Sequence, residues 1–179
     1  MNDNDSEDEK RVTFGCPTHS ASLLSEMNKR RATDYDIEIA ADGKLFQVHK
    51  LVLLAESPYF EAMFNSGMRE AQSQMIELSD ISHHIMEVLI EFMYTSKVSV
   101  TANNVYELLH AADLLQMVKV RDFCTNYLVK MLTVANCFSM LDVGKMYSND
   151  PLVNQIVKYI SLNLETISDT KGKIFYTPS

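Results

Sequence analysis

The sequence predicts a small α+β domain followed by an all-helical extension. Three observations carry this. Residues 33–50, TDYDIEIAADGKLFQVHK, alternate apolar and polar residues on either side of an Asp-Gly pair, the pattern of a β-hairpin. Strand-length and helix-length runs then mix up to about residue 100, and only helical periodicity follows. At 179 residues and 46% hydrophobic content, the chain can bury one sizeable core.

Residues 1–18 open acidic and break at Gly15-Cys16-Pro17, and read as a disordered tail. SASLLSEMNKRR follows, with Leu23, Leu24 and Met27 as a narrow apolar stripe on a short helix. So short a helix needs a packing partner. The pattern leaves open whether that partner is its own domain or a second chain. Tyr35, Ile37 and Ile39 form a half-buried strand, Asp42-Gly43 the turn, and Leu45, Phe46 and Val48 the return strand. LVLLAE reads as a fully buried helix, with a strand as the alternative.

Ser57-Pro58 is a helix start, a cap followed by a residue suited to the first helical position. Gly67 is the expected stop. QMIELS and KVSV read as strands. Between them Ser82 starts a helix with Ile85, Val88, Leu89 and Phe92 on one face. Thr101 or Asn103 is expected to cap a helix with Val105, Leu108, Leu109 and Ala112 inward. Three more helices follow, built on Val120, Phe123, Cys124, Tyr127, Leu128 and Met131, on Val134, Cys137, Phe138 and Leu141, and on Val153, Ile156, Val157, Ile160 and Leu164.

The charge balance, 24 acids against 16 bases for a net −8, argues against binding nucleic-acid phosphates. No apolar run approaches membrane-helix length, and the acidic start is not a signal peptide. Three cysteines, Cys16, Cys124 and Cys137, are unpaired by spacing and suit a reducing compartment, hence a cytoplasmic or nuclear location. Cys124 and Cys137 fall on apolar helix faces and read as core residues.

The sequence contains no phosphate-binding glycine loop and no nucleophile elbow. His83 and His84 are adjacent, about 100° apart on a helix, and read as solvated residues, not as ligands of one metal. His49 reads as a packing or capping residue. Asp34, Asp36 and Glu38 read as salt-bridge partners of Lys44 and Lys50. The expectation is a protein that is not an enzyme and takes no cofactor or metal.

The stretches DYDIEI…GKLFQVHKLVLLAESPYFEAMFNSGMREAQSQMIELSDIS, IEFMYTSKVSVTANNVYELLHAADLLQM and VRDFCTNYLVKML resemble the BTB (POZ) domain of the kelch-like proteins, over about residues 20–132. NCFSMLDVGKMYSNDPLVNQIVKYISLNLETIS resembles the opening helices of a BACK domain. The division is a BTB/POZ domain over 19–132, a partial BACK domain over 133–168 and an irregular tail over 169–179. The resemblance implies the BTB/POZ fold, a short mixed sheet flanked by a helical cluster. It implies a homodimer, or a mixed dimer with related BTB proteins, across the helix bearing Leu23, Leu24 and Met27. It places a charged pocket at that interface, with Asp36 as acid and Lys50 as base, where the family often has Arg.

It implies, too, that Met68 and Glu70 form a hydrophobe-x-acid motif contacting the cullin-three scaffold of a cullin-RING ubiquitin ligase. Helices around 103–116 and 134–147 would add area. The alternative is a self-association module for transcriptional or scaffolding complexes. Kelch repeats are absent, which suggests a truncated form, and the substrate is unknown. Ser96 stands where the family commonly has Gly, with a tightened turn expected.

Overall fold

The computed structural model describes residues 18–66 and 73–168. The elements run α1 (His19–Arg30), β1 (Ile37–Ala41), β2 (Lys44–Val48), α2 (Lys50–Glu56), α3 (Pro58–Asn65), β3 (Met75–Glu77), α4 (His83–Thr95), α5 (Val105–Leu114), α6 (Val118–Lys130), α7 (Cys137–Met146) and α8 (Asp150–Leu162). The mixed sheet has the order β2-β1-β3, with β1 antiparallel to β2 and parallel to β3.

The hairpin forms as expected. Asp42 and Gly43 both take positive φ, 46° and 74°, so the two-residue turn matches the twist of its strands. Ile37, Ile39 and Ala41 face the core. On β2 only Phe46 and Val48 do. Leu45 is exposed, because side chains alternate along a strand and it neighbours Phe46. Tyr35 lies outside β1 and is also exposed.

LVLLAE is helical, as α2, but not fully buried. Val52 and Leu53 turn inward while Leu51 stays 71% exposed. Ser57 caps α3 by accepting from Phe60 N at 3.4 Å, and its own hydroxyl donates to Leu115 O at 2.6 Å. α4 is the central helix. Ile85, Met86, Leu89, Ile90, Phe92, Met93 and Tyr94 are all buried, so its core contact wraps more than the expected face, and Val88 is only half-buried. Burying a large apolar side chain contributes about 1.5–3 kcal/mol.

KVSV is not a strand. Residues 97–100 pair with no ladder, and Val98 and Val100 pack half-buried against the core. A strand needs a neighbour, and no strand of the described sheet runs beside them. The N-cap of α5 is Asn104, neither Thr101 nor Asn103. The Asn104 side chain accepts from Thr101 N at 2.8 Å and donates to Ser99 O at 2.9 Å, and that closed turn sets the helix start. Phe123, Met131, Phe138, Val157 and Leu164, expected on apolar helix faces, are exposed, with Met131 and Leu164 beyond the ends of α6 and α8. The expected ion pairs also differ. Lys44 reaches Glu87 at 3.0 Å, and Asp34 faces Arg30 at 3.9 Å.

One core cluster runs from Ile37 through Leu128 into Cys137, Met140, Leu152, Ile156 and Ile167. The extension therefore packs on the α+β part. Asn149 is the polar link: its Oδ1 accepts from Leu152 N at 3.1 Å and its Nδ2 donates to Thr125 Oγ1 at 2.7 Å.

Candidate functional site

Two surfaces gather the candidate residues. On the first, α1 lies along α4. Leu24 and Met27 are half-buried against the core, while Leu23 points outward and is 57% exposed. The stripe thus has an inward and an outward edge, and α1 has no fully buried residue. Asp36 and Lys50 come together through the backbone: the Asp36 carboxylate accepts from Lys50 N at 2.6 Å. The Lys50 ammonium instead sits over the Phe64 ring, 4.2 Å from its centre, a cation–π contact.

Beside them the Arg31 guanidinium lies 5.3 Å over the Tyr94 ring, and its buried Nη1 has no hydrogen-bond partner among the described residues. The Tyr94 hydroxyl accepts from His49 N at 2.9 Å and meets His49 Nδ1 at 2.7 Å, so His49 packs as expected. Burial pushes the Tyr94 phenol up, above its ordinary range. Leu51, bare on α2 next to Lys50, was missed in the sequence because its apolar run reads as uniformly buried.

The second surface is a cleft of about 560 Å³ between the start of α5, the loop before α4 and the end of α7. Ile81, Ile85 and Ala111 form its apolar floor. Tyr106, His110 and Tyr147 stand as aromatic walls, with the His110 and Tyr147 rings 6.0 Å apart and tilted by 56°. Asp80 and Glu107 are its exposed acids. Ser82 Oγ donates to Glu107 Oε2 at 3.2 Å. The Tyr147 phenol is pushed up, first by burial and then by the Asp113 carboxylate. The resemblance pointed to the helices around 103–116 and 134–147, but no local sequence pattern joins these walls, which lie some forty residues apart along the chain.

Among the described residues no group of three or more His, Cys, Asp or Glu side chains is placed to hold a metal ion. His83 is not simply solvated. Its Nδ1 lies 2.9 Å from Asp42 Oδ2, and its ring centre is 3.8 Å from that of His84. The contact holds the Asp42 carboxyl below its ordinary range, chiefly through that hydrogen bond. Cys124 and Cys137 are free and buried, and burial pushes the Cys124 thiol up to about 12. No helix among the described residues is long and apolar enough to cross a membrane. The expected contact residues Met68 and Glu70, the stop Gly67 and Cys16 lie outside the described residues.

A family model described as the BTB/POZ domain matches residues 24–132. Human Kelch-like protein 21 is 35% identical over 152 residues, covering 83% of this chain and 26% of that protein. Kelch-like protein 8 of Caenorhabditis elegans is 33% identical over 150 residues, covering 83% and 22%. This chain thus spans about a quarter of the length of the curated relatives it matches. Among solved structures, the BTB domain of zebrafish PATZ1 superposes with a TM-score of 0.61 at 29% identity, over 67% of this chain and 99% of that one. The BTB domain of human Gigaxonin gives 0.60 at 24% identity, over 66% and 98%, a likeness of fold.

Proposed function

The chain belongs to the BTB/POZ domain family, and on that premise we propose that it is a non-catalytic, homodimeric adaptor that docks on the cullin-three scaffold of a cullin-RING ubiquitin ligase. The observation that carries the reading is the cleft between α5 and α7. It lies on the two helical regions that extend the scaffold contact in the adaptors this sequence resembles. Its aromatic walls suit a protein partner, since Tyr beside an apolar floor is a common composition of binding hot spots. Met68 and Glu70 would supply the anchor, the flexible thioether filling an irregular apolar depression and the carboxylate meeting a donor across the interface.

Self-association would use the α1 face. Leu23 and Leu51 are large apolar side chains left bare in the single chain, and a second copy would cover them. Leu24 and Met27 would hold α1 in place from beneath. Asp36 and Lys50 would border that interface. Residues 133–168 would serve as the opening helices of a BACK domain.

The test is light scattering after size exclusion, alone and with the cullin-three N-terminal domain. A dimer that becomes a two-to-two complex is expected. Met68→Asp should then weaken scaffold binding by more than about thirtyfold, the scale of a hot-spot loss, and leave the dimer intact. A dimer that ignores the scaffold would leave self-association as the function.

A further inference from the structure

We propose that the α5–α7 cleft selects its partner by charge, seating an arginine or lysine side chain of a protein partner between Tyr106, His110 and Tyr147, with the cation held by Asp80 and Glu107. The inference rests on the adaptor reading for the partner's identity and on the cleft alone for its chemistry.

Both charged residues lining the cleft are acids, and none is Lys or Arg. The Ser82 hydroxyl occupies one oxygen of Glu107, and the other keeps its accepting capacity. Asp80 makes no hydrogen bond or ion pair among the described residues. Asp113 adds negative potential behind Tyr147, although Arg121 lies 3.6 Å from it and offsets part of that field. A carboxylate or phosphate entering here would meet like charge with no Lys or Arg in the lining to compensate it.

A long basic side chain fits on both counts. Its aliphatic stem covers the apolar floor of Ile81, Ile85 and Ala111, and its charged end stays at the rim. The aromatic faces attract a cation through their quadrupoles, and a planar guanidinium stacks on them as well. The chain's net charge of −8 draws a basic partner surface in the same sense.

The experiment titrates the full chain with the cullin-three N-terminal domain at low and moderate salt, comparing wild type with Asp80→Asn/Glu107→Gln. The neutralised variant is isosteric and keeps every wall of the cleft. It should bind about tenfold more weakly at low salt and lose much of the salt dependence. Equal affinity and an equal salt slope would overturn charge selection while the adaptor reading stands.

If wild type does not bind the scaffold, the adaptor reading fails and a peptide probe decides. The probe is Ac-Leu-Arg-Ala-Leu-Arg-amide against its citrulline twin, which keeps the stems and removes the charge. Amide resonances of residues 80–82 and 106–110 should move with the arginine peptide and require about tenfold more of the citrulline form. Equal titration by both, or no movement at the cleft, would overturn the proposal.

Discussion

Replacing Asn149 by alanine should cost about 2 kcal/mol of folding stability. The side chain does two jobs in a place only 3% exposed. Its Oδ1 caps α8 through Leu152 N, and removing such a cap costs about 1 kcal/mol. Its Nδ2 donates to Thr125 Oγ1, and losing that buried hydrogen bond costs about 1 kcal/mol more. Thr125 keeps its own donation to Arg121 O at 2.9 Å, which limits the second loss. For a chain of this size the sum lowers the melting temperature by roughly 4–8 °C.

The assay is urea unfolding at fixed protein concentration, because association shifts apparent stability by mass action. Asn149→Ser keeps a capping oxygen but falls short of Thr125, so it should lose about half as much. A cycle with Thr125→Val should show a coupling of about 0.5–1 kcal/mol. A loss below about 0.5 kcal/mol for Asn149→Ala, or no coupling to Thr125, would refute the idea that this pair ties α8 to α6.

Ser96 closes α4 at φ 56°, a left-handed conformation that favours glycine, so Ser96→Gly should raise stability by about 1 kcal/mol in the same urea assay. Tyr94→Phe removes the acceptor of His49 N and should destabilise by about 1–3 kcal/mol, read as a lower unfolding midpoint with the slope unchanged. Cys124 should resist iodoacetamide at pH 8 in the folded protein and react once unfolded. Its folded pKa is raised, so its contribution to stability is full below the ordinary thiol pKa of 9.0 and is lost as pH rises from there toward about 12. Thermal melts across that range should therefore fall.

Local chemistry carried much of the fold into view. Asp42-Gly43 marks its turn because few residues accept two consecutive positive φ values, and Ser57-Pro58 marks its helix because cap and fixed φ act within one turn. The long ordered pattern from GKLFQVHK through SPYFEAMFNSGMRE, with the stretches after it, sufficed for the family resemblance. What stayed hidden depends on neighbours. Val98 and Val100 carry strand-forming side chains, yet a ladder requires an adjacent strand that the described sheet does not provide. Leu51 belongs to an apolar run and Phe123 to an apolar helix stripe, and only packing decides which member of either is left bare. The same holds for Asn104, whose cap geometry is set by a turn it closes itself. The resemblance pointed to the helices around 103–116 and 134–147, but the individual walls of the cleft were beyond reach, because Asp80 and Tyr106 meet through the packing of α4 on α5 and Tyr147 reaches them from the end of α7.

That stacking bears on what the extension is for. The family model ends at residue 132, but the buried core continues into α7 and α8 without a break. Gly144 is buried where the two helices meet, and a methyl group there would lie 3.0 Å from Val153 Cγ2, so that position favours a residue with no side chain. Asn149 N also donates to Gly144 O at 2.8 Å, closing the turn that carries Tyr147. The aromatic wall on the α7 side is thus anchored twice, by the α7–α8 contact and by the Asn149–Thr125 bond to α6. A partner entering the cleft, as proposed, would meet a surface already assembled, so little of its binding energy would be consumed in ordering that wall. On the proposed adaptor reading, α7 would supply one wall of the recognition surface and α8 would brace it from behind.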